Sequence, residues 1–258
     1  MRPCIKTPLS IRGSEFGGSR ALFCIPLVAS SLDELLGQSR AAHSLTADVV
    51  EWRADFFEGG TEETLIEAAR QLRSSLDREP ILFTLRSPAE GGKGNFPPAR
   101  RAASINAVVR SGLVDLVDVE LSNGESFVKA VIDTAHEHRT RVILSFHDFG
   151  GTPENDVLLG TISEMVKQGA DIAKLACMPQ RPMDALRMLQ VTLTARERFP
   201  TIPLCTMSMG AMGSLTRTAG FLFGSDMAFA VGKIASAPGQ IPIAEARDVS
   251  ERLLRFAE

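Results

Sequence analysis

Short apolar segments alternate with longer amphipathic segments along most of this 258-residue chain. The apolar segments have the length and continuous hydrophobicity of strands buried in a parallel sheet, and the segments between them have the spacing of helices that cover such a sheet. Eight of these repeats favour a single closed (β/α)8 TIM barrel over an open, doubly wound sheet. The predicted strands cover residues 21–28, 48–53, 80–86, 116–121, 141–147, 171–176, 203–207 and 227–231.

Two of the predicted helices have clear start signals. Thr61 is followed by two glutamates, which are favourable in a first turn. Thr152 precedes Pro153, which predicts an N-cap followed by proline at the first helical position. No GxGxxG follows the first strand, which argues against a dinucleotide-binding fold. The predicted helices cover 61–76, 99–111, 122–137, 154–168 and 183–198, and Pro242 opens the last one.

No linker rich in proline and glycine divides the chain, so we expect one barrel domain over residues 21–258. Residues 1–20 are expected to form a short leader or cap at the base of the barrel, and their glycine and serine content also allows disorder. The formal net charge of −3 does not favour binding to nucleic acid or to an anionic membrane. No apolar run approaches the roughly 18 residues of a membrane span.

The cysteines of the chain are widely separated in the sequence. They show neither a CxxC pair nor a spacing with histidine that is typical of a zinc site. We therefore expect neither a zinc site nor a thioredoxin-like redox site, and free thiols fit a reducing, cytoplasmic compartment. The four residues are Cys4, Cys24, Cys177 and Cys205.

Lys174 is an unusual residue for the sixth predicted strand, because no other charge lies within two residues of it. Strand interiors seldom hold an unpaired ammonium group. In a barrel, a lysine near the carboxyl end of a strand lies where active sites usually form. Desolvation favours the neutral amine, which attacks a ketone or aldehyde to form a Schiff base. The alternative is a lysine that extends to the exposed end of its strand.

Other polar side chains lie at the ends of the neighbouring predicted strands. Residues two apart on a strand share a face. Such pairs are Glu51 with Arg53, Thr84 with Arg86, Asp118 with Glu120, and Ser145 with His147. Each pair could be a local structural contact, but their shared position predicts a polar ring around the barrel mouth. His147 is the candidate base, and Asp118 or Glu120 could orient it, lie against Lys174, or be structural.

Three loops add further candidates. Glu90 follows the third strand on a loop that contains several glycines. Arg217 follows the turn after the seventh strand, and its guanidinium suits a bidentate clamp on a carboxylate. Ser236 and Gln240 lie on a long loop after the eighth strand, whose small residues and prolines are typical of a lid. Lys233, on the same loop, is a weaker candidate for imine chemistry because the segment is expected to be exposed.

These segments resemble those of the type I 3-dehydroquinate dehydratases, which form a Schiff base with their substrate. The matches occur in the family's order across about three-quarters of the chain, and the last three are the most specific. They are VEWRADFF, FTLRSPAEGG, DVEL, ILSFHDFGGTP, DIAKLA, PLCTMSMGAMGSLTR and FGSDMAFAVGKIASAPGQIPI. The resemblance implies a (β/α)8-barrel lyase of the shikimate pathway that is commonly a homodimer and needs no metal or organic cofactor.

The resemblance also implies a role for each candidate residue. Lys174 would form the Schiff base with the C3 ketone of 3-dehydroquinate. His147 would remove the C2 proton and later protonate the departing C1 hydroxyl. Glu90 would position the reacting groups, and Arg217 would bind the substrate carboxylate. The residues implied to hold hydroxyls and close the site are Glu51, Arg53, Arg86, Ser236 and Gln240.

The first predicted strand departs from the family pattern. The family often places a small hydroxyl residue towards the ligand there, whereas this chain has Pro26. Ser30 or Ser31 could substitute for that hydroxyl, or the contact could be absent. We therefore carry no ligand contact over from this strand.

Two other functions remain open at this point. Another class I imine-forming barrel lyase, such as an aldolase, would keep Lys174 but would not require Arg217, Ser236 and Gln240. A non-catalytic barrel that senses a polyol carboxylate would keep the arginines and tolerate loss of Lys174 and His147. The sensor fits least well, because the sequence retains all of these groups.

Overall fold

The structure is a computed structural model that describes residues 2–94 and 96–255. An antiparallel hairpin, β1 (Leu9–Ile11) and β2 (Ser14–Phe16), precedes eight strands of one parallel sheet. Those strands are β3 (Leu22–Leu27), β4 (Val49–Arg53), β5 (Ile81–Thr84), β6 (Leu116–Glu120), β7 (Arg141–Asp148), β8 (Ile172–Cys177), β9 (Leu204–Ser208) and β10 (Met227–Phe229). Each strand from β3 to β8 pairs with the next, and β10 pairs with β3, which confirms the predicted barrel.

A helix follows each strand of the sheet, as the alternating pattern predicts. Thr61 caps the second helix, since its hydroxyl accepts the Thr64 N–H at 3.3 Å, and the two glutamates lie in the first turn as expected. No helix within the described residues is long and apolar enough to cross a membrane. The helices are α1 (Leu32–Ser44), α2 (Glu62–Ser75), α3 (Pro98–Arg110), α4 (Glu125–Glu137), α5 (Asn155–Lys167), α6 (Pro182–Arg198), α7 (Ser214–Ala219) and α8 (Ile243–Arg255).

The predicted start of α5 was wrong. Its N-cap is Glu154, two residues after the expected Thr152. Thr152 is held elsewhere, because its hydroxyl donates to the Met178 carbonyl at 3.2 Å and its carbonyl accepts from Arg187 at 3.0 Å. These tertiary contacts keep the Thr-Pro segment outside the helix, and a local capping pattern does not reveal them.

The helix predicted from residue 122 also begins later, at Glu125. Residues Leu121–Asn123 form a short 3-10 turn instead. Gly124 then has a φ of 86°, a conformation that other residues rarely adopt. The glycine therefore separates the turn from the helix.

Four aspartates repeat at the amino-terminal ends of alternate strands and fasten neighbouring strands together. Each carboxylate accepts a backbone N–H from the preceding strand at 2.8–2.9 Å. Each also binds basic side chains. The backbone bonds run from Phe23 to Asp48, from Ile81 to Asp115, from Val142 to Asp171 and from Leu204 to Asp226.

Asp226 lies at the seam where β9 meets β10. Its own N–H donates to the Leu204 carbonyl at 2.6 Å, and the Thr206 N–H donates to Ser225 Oγ at 3.1 Å. Its carboxylate binds both Arg2 and Arg196, and all three side chains are almost fully buried. The barrel is thus closed at this seam by a buried ionic cluster, one backbone–backbone hydrogen bond and the bond from the Thr206 N–H to Ser225.

Replacing Asp226 with alanine should lower the free energy of unfolding by about 3–5 kcal/mol, because two buried arginines lose their counter-charge. The matched control is Asp171→Ala. The basic partners of Asp171 are about half exposed, so its loss should cost only about 1 kcal/mol. Urea-induced unfolding followed by circular dichroism measures both values. Equal decreases in the free energy of unfolding of the two variants would contradict the stabilising role of the buried cluster around Asp226.

The interior of the barrel has an apolar floor below a polar layer. Ile11 and Phe16 of the hairpin pack in the same cluster as the inward-facing residues at the strand starts. The next inward-facing positions along the central strands are polar, because side chains alternate between the two faces of a sheet. The cluster members from the strand starts are Leu22, Val49, Leu82, Leu116, Ile143, Ile172 and Met227.

Candidate active site

A cavity opens at the carboxyl ends of the barrel strands, and its empty space together with the solvent at its open mouth is about 480 Å³. All nine residues to which the family resemblance gives a role line it, although they come from six different strands, loops and helices. Barrel enzymes bind their substrates at this end of the fold. The lining candidates are Glu51, Arg53, Arg86, Glu90, His147, Lys174, Arg217, Ser236 and Gln240.

Lys174 reaches the cavity from the middle of β8 and stays buried, with a side chain only 4% exposed. The alternative that it extends to the exposed strand end is therefore wrong. Its Nζ lies 2.8 Å from Asp118 Oδ2 and 4.4 Å from the ring centroid of Phe229. The amine that looks unpaired in its own segment thus has a carboxylate partner from β6, two strands away in the sheet.

The Asp118 carboxylate is held on both oxygens. Arg86 Nη2 lies 2.9 Å from Oδ2, and the Ser145 hydroxyl donates to Oδ1 at 2.6 Å. Arg86 also donates to Ser145 at 2.8 Å, which closes the network. Burial by itself raises the pKa of Asp118, but the positive charges of Arg86 and Lys174 outweigh it and hold that pKa well below its ordinary value. Asp118 is therefore a fixed negative charge at neutral pH.

His147, near the end of β7, is oriented by Glu90. Its Nδ1 lies 2.8 Å from Glu90 Oε2, and its backbone N–H donates to the same oxygen at 3.0 Å. The Ser122 hydroxyl donates to the other oxygen of Glu90. These contacts leave Nε2 of His147 for the cavity. The residue that orients the histidine is thus Glu90, rather than Asp118 or Glu120.

Burial sets the protonation of this pair. It lowers the pKa of His147 well below its ordinary value, and the positive charges of Arg86 and Lys174 lower it further. Burial also raises the pKa of Glu90 to about 7, against the opposing effects of Ser122 and Arg86. The imidazole is consequently neutral at physiological pH and can accept a proton.

Glu120 has a structural role. Its carboxylate accepts the Ser87 N–H at 2.7 Å and an amide N–H of Asn123 at 2.8 Å, and it lies 3.6 Å from Arg101. These partners belong to the loops after β5 and β6 and to α3. The side chain therefore fastens the loop that carries Glu90, which answers one question that the sequence left open.

Arg217 lies on α7. Its guanidinium brings a positive charge to the side of the cavity formed by β9 and β10. It is only 3% exposed, yet its contacts, Met207 Sδ and the carbonyls of Phe229 and Pro238, all at 3.3 Å, are uncharged. Its Nε is buried without a partner among the described residues. Burial lowers the pKa of Arg217 to about 10, so the group still carries its charge at neutral pH. A buried guanidinium in this state suits an anionic ligand.

The other predicted binding residues are partly engaged with protein atoms. Glu51 accepts the Thr84 hydroxyl at 2.8 Å, and Arg53 is held by both oxygens of Asp55 at 2.8 Å. The Ser236 N–H donates to Gln240 Oε1 at 2.9 Å, and the Gln240 amide donates back to the Ser236 hydroxyl at 3.1 Å. Lys233 is exposed, as expected, and does not line the cavity.

The apolar part of the lining was not predicted. Most of it follows the period of two along β8, β9 and β10, which places the inward-facing residues one above another, whereas Phe149 lies just after β7. The residues concerned are Phe149, Ala176, Met207, Met209 and Phe229.

The first strand contributes no hydroxyl to the cavity. Pro26 lies opposite Glu51 in the sheet, and it does not line the cavity. Ser31 caps α1 by accepting the Glu34 N–H at 3.4 Å, and the Ser30 hydroxyl donates to the Glu34 carboxylate at 3.0 Å. Both serines are thus engaged at a helix terminus and do not replace the expected hydroxyl.

A closed parallel barrel with a cavity of buried ionisable groups at its carboxyl end has the architecture of a (β/α)8-barrel enzyme. Comparison with known families gives a more specific assignment. A sequence model described as "Type I 3-dehydroquinase" matches residues 23–253, nearly the whole barrel. The chain belongs to the type I 3-dehydroquinase family.

Individual relatives agree with this assignment. The chain is 40% identical over 252 residues to a 3-dehydroquinate dehydratase of Bacillus licheniformis, with 97% of this chain and 99% of the relative covered. The crystal structure of the Geobacillus kaustophilus HTA426 enzyme superposes with a TM-score of 0.96 at 39% identity over 100% of both chains. The type I enzyme of Clostridium difficile, solved with covalent modified comenic acid, has a TM-score of 0.93 at 33% identity and covers 97% and 99% of the two chains.

Proposed function

We propose that this protein converts 3-dehydroquinate into 3-dehydroshikimate by syn elimination of water through a Schiff base on Lys174. This reaction is the third step of the shikimate pathway. The observation that carries the proposal is the convergence of a buried amine, a neutral imidazole and a guanidinium without a counter-charge on one cavity. The family of the chain and the covalently modified relative support the same chemistry.

The first chemical step joins the Lys174 nitrogen to the C3 carbonyl carbon. The carbonyl oxygen leaves as water, and the product is an iminium. Its positive nitrogen draws electrons from the adjacent C2–H bond and so makes that proton more acidic. Burial of Lys174 next to Phe229 keeps bulk water away from the new bond.

His147 is then the general base. Its free Nε2 takes the C2 proton, and the electrons of the broken bond form a neutral enamine. The same proton is returned to the departing C1 hydroxyl, which leaves as water and restores the iminium, now conjugated with the new double bond. Hydrolysis of that iminium releases the product and Lys174.

The remaining candidates bind the substrate, except Glu90, which orients the base. Arg217 holds the carboxylate, because it is the buried cation whose protein contacts are uncharged. Glu90 orients His147 through Nδ1. The polar groups proposed to hold hydroxyls and to cover the substrate are Glu51, Arg53, Arg86, Ser236 and Gln240.

We further infer a homodimer in the cytoplasm that works without a metal or an organic cofactor. The family resemblance supports the dimer and the lack of a cofactor. The free thiols of the four cysteines favour a reducing compartment. We also infer that residues 21–258 form the catalytic domain and residues 1–20 a leader at its base, although positions 1, 95 and 256–258 lie outside the described residues. The packing of the hairpin against the barrel floor supports this position of the leader.

The enone product absorbs in the ultraviolet, so one absorbance assay with 3-dehydroquinate tests the proposal. We expect turnover by the wild-type protein and a fall in kcat/KM of about 10²- to 10³-fold in Arg217→Met, mostly through KM, because the carboxylate loses a buried charged partner. The control is Lys233→Met, since this exposed lysine lies on the adjacent loop. Cleavage of a ketose phosphate without dehydration of 3-dehydroquinate would instead identify an aldolase. Unchanged kinetics in Arg217→Met would show that Arg217 does not bind the substrate carboxylate.

A further inference from the structure

The ion pair between Asp118 and Lys174 has no part in the reaction steps proposed above. Both side chains are almost fully buried, at 0% and 4% exposure, and the two atoms lie 2.8 Å apart. A carboxylate this close to a reacting nitrogen affects every state in which that nitrogen is charged. The ion pair therefore affects steps in which the nitrogen of Lys174 takes part.

The charge on the Lys174 nitrogen determines in which states of the reaction Asp118 has a cationic partner. An ammonium and a ketone condense to an iminium and one water, because two hydrogens of the nitrogen leave with the carbonyl oxygen. The nitrogen carries one positive charge before and after this step. Within this step the attacking amine and the carbinolamine are transiently neutral, and after it the charge leaves the nitrogen again when the C2 proton is removed and the enamine forms. The carboxylate is thus matched to the ammonium and to the iminium alike.

The contacts that hold Asp118 in place suit a nitrogen that carries the same charge as an ammonium and as an iminium. Arg86, just after β5, and Ser145, on β7, bind it, so its position does not depend on Lys174. When the enamine removes the charge from nitrogen, Arg86 still compensates the carboxylate. Asp118 can therefore remain ionised and in place throughout the reaction cycle.

We propose that Asp118 is a positioning residue that holds the Lys174 nitrogen as the counter-ion first of the ammonium and then of the iminium. This inference rests on the proposed Schiff-base function. Within residues 2–94 and 96–255, Asp118 is the carboxylate that contacts Nζ. The other ionisable groups around this pair are Cys24 from β3, Glu51 and Arg53 from β4, Arg86 from β5, Glu120 from β6, His147 from β7, Cys205 from β9, and Glu90 and Arg217 from the loops and helices above.

The test measures imine formation separately from proton removal. Wild type, Asp118→Asn and Ser145→Ala are incubated with saturating 3-dehydroquinate and borohydride, and mass spectrometry follows the reduced adduct on Lys174. Asp118→Asn preserves the shape of the side chain and removes its charge, so the trapping rate should fall by about tenfold or more. Ser145→Ala leaves the charge and its contact with Lys174, so trapping should fall only about threefold.

A second readout distinguishes positioning from a purely structural role. With substrate deuterated at C2, the isotope effect on turnover should fall towards one in Asp118→Asn, because imine formation becomes the slow step. Loss of folded protein alone would lower the rate but leave the isotope effect at its wild-type value, which would overturn the inference. If circular dichroism shows that Asp118→Asn does not fold, Ser145→Ala becomes the test variant. A wild-type trapping rate in Ser145→Ala would then overturn the inference about Asp118.

The same experiment separates the two proposals. No adduct with the wild-type protein would refute the Schiff-base function itself. A normal adduct in the wild type together with normal trapping and a normal isotope effect in Asp118→Asn would refute only the role of Asp118.

Discussion

Lys174→Ala is expected to lower kcat for 3-dehydroquinate by roughly 10⁴-fold or more, since removing the nucleophile of a covalent mechanism typically costs this much. Binding should persist, because Arg217 and the other polar groups of the cavity remain. The variant should also fold, because Asp118 keeps its contacts with Arg86 and Ser145 after the lysine is lost. Calorimetric titration of the variant with substrate, beside the absorbance assay, measures both effects.

Borohydride trapping gives the direct version of the same test. The wild-type protein should gain a reduced substrate adduct on the peptide that contains Lys174, and Lys174→Ala should gain none. Lys129, an exposed lysine on α4, provides the control, because Lys129→Ala should leave both labelling and turnover unchanged. An unmodified Lys174 peptide in the wild type, or wild-type activity in Lys174→Ala, would exclude the imine mechanism.

The burial of Lys174 was predictable, whereas for its partner the sequence left Asp118 and Glu120 as open alternatives. A lysine inside an apolar segment of eight regular β/α repeats belongs in the barrel interior, whatever the details of the loops. Its contact with Asp118 joins residues 56 positions apart, with β7 between their strands. Such a contact depends on the register of three strands and the side-chain conformations between them, and local patterns carry no information about either.

The sequence contains a signal for the aspartate repeat at the barrel base, but no prediction was made from it. Asp48, Asp115, Asp171 and Asp226 each precede an apolar residue at the start of every second strand. A repeat at alternate strands is a property of the whole barrel, so it becomes visible only when the strand register is known. The opposite case is Thr152, whose strong local capping pattern is overruled by tertiary contacts with Met178 and Arg187.

The tautomer of His147 links its geometry to the pH dependence of the reaction. When Glu90 is ionised, it accepts the Nδ1 proton, and Nε2 presents a lone pair to the cavity. When Glu90 is protonated, it donates to Nδ1, and Nε2 then carries the proton and cannot act as a base. Because the pKa of Glu90 is raised to about 7, kcat/KM should fall as the pH drops below that value. Glu90→Gln, whose amide oxygen accepts the Nδ1 proton at every pH, should lack this dependence.

His147→Ala is expected to lower kcat by about 10³-fold, within the range that a general base contributes. Lys174 and its counter-ion remain in this variant, so the iminium should still form and accumulate. Borohydride should therefore trap the Lys174 adduct while product formation almost stops, a combination that Lys174→Ala cannot give. His136→Ala, at a half-exposed histidine bound to Asp171, is the matched control and should keep full activity. A wild-type steady-state rate in His147→Ala would show that another group removes the C2 proton.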